Sequence, residues 1–198
     1  MQQFKIFDLY DIGEVKVEDL GLKRYIDLTP KLVIKSRGRE RAKFAKSKIN
    51  IVERMINMLT VPGKRGKKHK IITNWASGKF SQKTKIILDA FKMIEKETGK
   101  NPVAVLVRAI ENSAPKDEVT VIEYGGARYP QAVDVAPMRR VSLAIHNIIH
   151  GAYDKSFNKK VNITEALAKE IILAADNNQE SFSVKKRIES EKQADAAR

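Results

Sequence analysis

NPVAVLVRAIENSAPKDEVTVIEYGGARYPQAVDVAPMRR, residues 101–140, changes its hydrophobic period twice, and those two changes set the fold class. Asn101 is a good N-cap, and Pro102 suits the first helical position because its missing N–H has no helical partner to lose. Val103, Leu106, Val107 and Ile110 then recur at helical spacing, while Val105 and Ala109 leave little polar face. This helix is predicted to be the most buried element, closed by Pro115. From Glu118 to Tyr124 the period drops to two, with β-branched and polar residues alternating, and it does so again from Gln131 to Val135. Joined through the stretch 125–130, which begins Gly125-Gly126, the two runs predict a β-hairpin. Two strands alone bury too little to be stable, so the hairpin should lean on helices and project, with Arg128 and Tyr129 near its tip. Pro137 opens the next helix, with Arg139 and Arg140 in its first turn and Val141, Ala144, Ile145, Ile148 and Ala152 on its core face. Arginines there oppose the helix dipole, which calls for a compensating phosphate or carboxylate.

Outward from this stretch the helical period returns on both sides. Upstream, Ile49, Val52, Ile56 and Leu59 form one stripe, ended by Pro62 and Gly63. Residues 81–98 place Ile87, Ala90, Phe91 and Ile94 on one face, and Gly99 supplies the stop. Downstream, Asn162 and Glu165 have the spacing of a capping box ahead of Leu167, Ile171 and Ala174, with Asn177 and Asn178 at the far end. Residues 181–198 read as a mostly polar helix with Lys185, Lys186 and Arg187 near its start, short of apolar residues and in need of a partner surface. The expected fold is mainly α: a bundle of about six helices with a protruding two-stranded β-hairpin arm at about 118–136.

The 198 residues carry 38 Lys and Arg against 24 Asp and Glu, a formal net charge of +14, and the excess is concentrated. Residues 1–30 hold six acids and four bases, a net of −2. From Lys31 to Lys48 eight bases, including Arg37, Arg39, Arg41, Lys43, Lys46 and Lys48, face one acid, Glu40, for a net of +7. From Pro62 to Lys70, Lys64, Arg65, Lys67, Lys68 and Lys70 are unopposed, for +5. Solubilising charge is normally interleaved with acids, so two such segments at the two ends of one short helix point to a phosphate backbone.

Other chemistry finds little support. Cysteine is absent, which removes disulfides, thiolate zinc sites and cysteine nucleophiles. No apolar run approaches the roughly 20 residues of a membrane span, and residues 1–10 have no basic n-region or cleavage site, so a cytoplasmic protein with no membrane partner is expected. His146 and His150 have the i, i+4 spacing of a zinc-protease helix, but Asn147-Ile148-Ile149 stands between them where the general-base Glu belongs. The one other histidine, His69, lies in the basic loop, so ordinary surface or half-buried histidines are the expectation and no metal is assigned. Gly63 to Lys68 lacks the Walker spacing, the Ser or Thr after the Lys and a preceding strand, so its phosphate contacts should be to a nucleic-acid backbone. No nucleophile, base and acid set stands out, and neither an enzyme nor a cofactor is predicted. A DNA-binding, chromatin-type protein using the same charge is the alternative reading; a metal-dependent hydrolase centred on His146 and His150 is a third.

Several of these segments, in this order, resemble the small-subunit ribosomal protein family usually called S-seven. Val52 to Leu59, then Pro62-Gly63-Lys64-Arg65-Gly66-Lys67-Lys68, then Ile71-Ile72, is similar to that family's first helix and its Gly-Lys-Lys loop. Leu-Val-Arg-Ala-Ile-Glu-Asn-Ser-Ala-Pro at 106–115 resembles the central Glu-Asn-x-x-Pro helix. Gly125-Gly126, Gln131 to Pro137 and Arg139-Arg140 resemble the hairpin and following helix, and 183–187 the C-terminal basic segment. The resemblance runs from about Lys46 to Arg198. Residues 1–45 depart from the bacterial pattern and look like the extension of archaeal and eukaryotic members. The expected organisation is an N-terminal extension over 1–45, basic in its second half, and a helical rRNA-binding domain over 46–198.

The resemblance implies a structural constituent of the ribosome that binds the 3′ major domain of small-subunit rRNA and starts assembly of the subunit head. It implies a position near the exit-site path of tRNA and mRNA, with Arg128 and Tyr129 on the arm that approaches that path. Lys64, Arg65, Lys67, Lys68 and Lys70 are the implied rRNA contacts; Arg37, Arg39, Arg41, Lys43, Lys46, Lys48, Arg139, Arg140, Lys185, Lys186 and Arg187 are further candidates. Expected partners are that rRNA, exit-site tRNA and mRNA, and neighbouring head proteins, ribosomal protein S-eleven among the candidates; no homo-oligomer is expected.

Overall fold

The computed structural model describes residues 5–13, 15–31, 42–63 and 78–198. Asn101 caps the helix at its centre, α3 (Pro102–Ser113), accepting the Val103 N–H at 3.0 Å. Val103, Val105, Leu106, Val107, Ala109 and Ile110 are all buried, because this helix is apolar almost all round. The other helices are α1 (Ile51–Thr60), α2 (Phe80–Thr98), α4 (Pro137–Ser156), α5 (Ile163–Ala175) and α6 (Phe182–Ala196), with a short 3-10 turn (Ala45–Lys48) before α1. Helix α5 lies against α2, α3 and α4, and α1 against α2 and α4. Gly99 ends α2 in the left-handed conformation that only glycine enters cheaply. Thus the six helices and their stripes follow the sequence pattern. The Asn162–Glu165 capping box does not form: Asn162 makes no side-chain cap bond, and Glu165 pairs with Lys169 four residues on.

The two strands, β1 (Asp117–Tyr124) and β2 (Ala127–Asp134), pair antiparallel with Tyr124 opposite Ala127. Gly125 and Gly126, both at positive φ, make a two-residue turn whose twist matches the strands. The second strand therefore begins four residues earlier than Gln131, and Arg128 and Tyr129 are strand residues beside the tip. Counting pairs from the turn puts Pro130, opposite Val121, at a non-hydrogen-bonded position, where its missing N–H costs no ladder bond. The base of the hairpin leans on α6 and the residues after it: the Lys116 N–H donates to Glu191, and Arg198, just beyond the helix, pairs with Asp117 at 2.8 Å. The distal half, with Val121, Tyr124 and Tyr129, is exposed.

Within residues 1–45, the described part of 5–31 lies on the helical body, burying Ile6, Tyr10, Ile12, Val15, Leu22 and Ile26 in the same core. Tyr10 packs edge-on against Phe91. Polar groups near its middle tie it to the helices. Asp19 accepts from Arg140 at 2.9 Å, and the backbone N–H groups of Glu18 and Asp19 both donate to one oxygen of Glu111, at 2.8 and 3.0 Å.

Three successive residues of α3 tie three different elements to it. Glu111 holds the N-terminal segment, and Asn112 donates to the last carbonyls of α5, Ala174 and Ala175, at 3.1 and 2.7 Å. Ser113 bonds to Ser183 at the start of α6. Beyond it, buried Glu170 on α5 accepts from Ser181, the Ser183 N–H and Lys155. Here α4 must come close: a Cβ on Gly151 would stand 2.8 Å from both Glu170 Oε1 and Phe182 Cβ.

Candidate nucleic-acid interface

Basic segments flank α1 in the sequence, and both ends of that helix are anchored. At its start, Asn50 caps by accepting the Val52 N–H at 2.9 Å, while its amide donates to the Thr29 carbonyl and the Ile51 N–H donates to Asp27. Lys43, Lys46 and Lys48 stand exposed on the turn that leads into this cap. At its end, buried His150 on α4 donates from Nε2 to the Pro62 carbonyl at 2.8 Å, and the Tyr153 hydroxyl reaches the Leu59 carbonyl. The root of the basic loop is thereby fixed to α4. Lys64, Arg65, Lys67, Lys68 and Lys70 lie outside the described residues, as do His69, Arg37, Arg39 and Arg41.

His150 is accordingly fully buried, and its ring centroid lies 4.1 Å from that of His146. Among the described residues no group of three metal-ligating side chains assembles, and no helix is long and apolar enough to cross a membrane. Of the two histidines, His150 acts as a structural clamp on Pro62. Their neighbours on α4, Ile145, Ile148 and Ile149, are buried, which is the signal that this helix face turns inward.

The remaining candidates divide by what they touch. Arg139 forms a two-pronged pair with Glu118 of β1, Nε and Nη2 each at 2.8 Å, yet keeps its side chain 57% exposed. That pairing pushes the guanidinium pKa up. Arg140 is a strap: it donates to Asp19 and to the Pro115 carbonyl, and only 12% of its side chain is exposed. Carboxylates, then, supply the anions that the opposing helix dipole demands. On α6, Lys185 is exposed, Lys186 pairs with Glu189, and Arg187 bonds to Glu191 and Asn177. On the arm, Arg128 lies 3.5 Å from Glu123 across the strands, leaving both side chains mostly exposed. Tyr129 shares a face with Ile122 and Tyr124, all three exposed.

One buried cation escaped the sequence reading. Arg54 on α1 is 8% exposed and donates to the Tyr25 carbonyl at 2.8 Å and to Ser142 at 3.3 Å. Burial pushes its guanidinium down to about 10. The available signal was Ile51 and Met55, which widen the stripe of Ile49, Val52, Ile56 and Leu59 until Arg54 has little solvent-facing arc left.

Comparison with known proteins gives a consistent result. The family described as Ribosomal protein S7p/S5e matches residues 22–198. Among curated proteins, the chain is 48% identical over 197 residues to the small ribosomal subunit protein uS7 of Nanoarchaeum equitans, covering 99% of this chain and all of that one. It is 43% identical to the proteins of the same name from Methanothermobacter thermautotrophicus and Methanosphaera stadtmanae, covering 97% and 98% of this chain and 98% of each of theirs.

Proposed function

We infer the function from one premise: this chain belongs to the ribosomal protein S7p/S5e family and is an rRNA-binding protein of the small ribosomal subunit, not an enzyme. We propose that it binds the 3′ major domain of the rRNA, begins assembly of the subunit head, and lies beside the exit-site path of tRNA and mRNA. The supporting observation is the charge flanking α1: exposed Lys43, Lys46 and Lys48 ahead of it, and after it, in the sequence, five cations between Lys64 and Lys70 that follow Pro62, which His150 ties to α4. Cations on rigid supports meet several phosphates together and release their counterions, so affinity and register both come from the fold. In this reading residues 46–198 form the rRNA-binding body and 1–45 an extension, whose described part within 5–31 packs on it. Lys64, Arg65, Lys67, Lys68 and Lys70 make the main contacts, Lys185 adds to them from α6, and Arg128 and Tyr129 face the tRNA and mRNA path. Neighbouring head proteins, S-eleven among them, complete the partners.

The test is Lys67→Glu with Lys68→Glu in one chain, titrated by filter binding against a 3′ major-domain rRNA fragment. Affinity should fall by at least about tenfold, and the slope of log affinity against log salt should become shallower by about 1.4 to 1.8, two phosphate contacts' worth. Circular dichroism should stay unchanged. Equal affinity for wild type and variant overturns the reading.

A further inference from the structure

A hollow of about 240 Å³ opens between α1 and α4, lined in part by Lys46, Arg54, Asn57, Met58, Val61 and Ser142. Its described lining holds two cations and no carboxylate. Arg54 is more than nine-tenths buried, and its two hydrogen-bond acceptors, the Tyr25 carbonyl and the Ser142 hydroxyl, are both neutral. A guanidinium carries five N–H donors. Most of them, and the charge itself, are therefore uncompensated among the described residues. A buried cation without a counter-charge is costly, and an anion brought from outside relieves that cost.

The hollow is smaller than the roughly 300–1,000 Å³ typical of small-molecule sites, which suits one fragment of a polymer. Its lining is amphipathic, since exposed Val61 and half-buried Met58 share it with exposed Lys46 and buried Arg54. Cationic segments of +7 and +5 flank the helix that carries it, a run that repeated phosphates match better than a single carboxylate does.

We propose that this hollow is a subsite for one rRNA nucleotide, with its phosphate on Arg54 and Lys46 and its ribose or base on Met58 and Val61. Asn57 and Ser142 supply polar contacts. The subsite rests on the rRNA-binding reading above and adds to it a buried contact that the basic loop does not provide.

Ser142→Asp tests it by placing a permanent carboxylate beside Arg54. Melting temperature should hold or rise, while affinity for the 3′ major-domain fragment falls about tenfold and the salt slope loses about 0.7 to 0.9, one phosphate. Lys46→Gln, at an exposed position, should weaken binding about threefold with the fold intact, and it decides the matter should Ser142→Asp fail to fold. The subsite is overturned when wild type binds the fragment and both folded variants match it. It is equally overturned when RNA affinity holds and a neighbouring ribosomal protein is lost instead, which would assign the hollow to an acidic peptide. A wild-type chain that itself fails to bind the fragment removes the parent reading and the subsite together, and the wild-type titration alone reveals that.

Discussion

The junction of α3, α5 and α6 and the edge around α1 handle polar groups in opposite ways. At the junction, Asn112, Ser113, Glu170, Ser181 and Ser183 find their partners inside the chain. Around α1, Lys43, Lys46 and Lys48 are held in position but turned to solvent, and buried Arg54 has only neutral acceptors. Internally paired groups specify how the chain packs on itself, whereas cations held in position and turned to solvent suit the external anion proposed above. Changes at the junction should therefore move stability and leave the affinity of folded protein alone; changes at the edge should do the reverse.

The largest blow to the junction is Glu170→Ala. It strands the buried Ser183 N–H, leaves the Ser181 hydroxyl only Ser183 to donate to, and removes the partner of Lys155. Lys155 is partly exposed and can rehydrate, so the expected loss is roughly 2–4 kcal/mol rather than the full cost of an orphaned buried charge. For a chain of this size that lowers the melting temperature by roughly 5–15 °C. The rRNA affinity of the folded fraction should stay within about twofold; a larger fall would mean that the junction also shapes the RNA surface.

Next comes Asn112→Ala, which frees the Ala174 and Ala175 carbonyls at the end of α5 and should cost about 1–2 kcal/mol, read by urea unfolding. Hydrogen exchange should quicken locally in the last turn of α5 and at Asn177 and Asn178. Uniform quickening would show that Asn112 supports the whole bundle.

How much of this was legible in the sequence depends on the reach of the signal. The Asn101-Pro102 start, the Gly99 stop and the switch to period two at Glu118 are local, and the structure follows them. Where local signals failed, a short-range competitor won: Glu165 turned to Lys169 instead of completing the capping box, and Gly125-Gly126 alone made the turn, drawing 127–130 into a strand despite Pro130. The division of the cations was not legible at all. Arg140 looks like Arg139 and Lys185 in sequence, but its partner Asp19 lies 121 residues away and takes it into the fold. Charge density marked where cations cluster in the sequence and could not say which arginines serve the protein itself.

Glu111→Gln draws the finest line between the two regions, because it keeps the junction's geometry and alters only its charge. The amide oxygen can still accept the N–H groups of Glu18 and Asp19, so stability at neutral pH should change by less than about 0.5 kcal/mol. The difference appears on acidification. Burial raises the Glu111 pKa above its ordinary 4.5, and the two backbone donors only partly oppose that. A carboxyl with a raised folded-state pKa takes up its proton in the native state before it does in the unfolded chain, so protonation favours folding. As pH falls through the raised value toward 4.5, wild type should gain stability relative to the glutamine variant, and below 4.5 the difference should level off. Urea melts of both chains, paired at each pH, isolate that slope from the other carboxylates. A wild type that instead loses ground to the variant on acidification would mean that the two N–H donors outweigh burial, making Glu111 a charged clamp on the N-terminal segment.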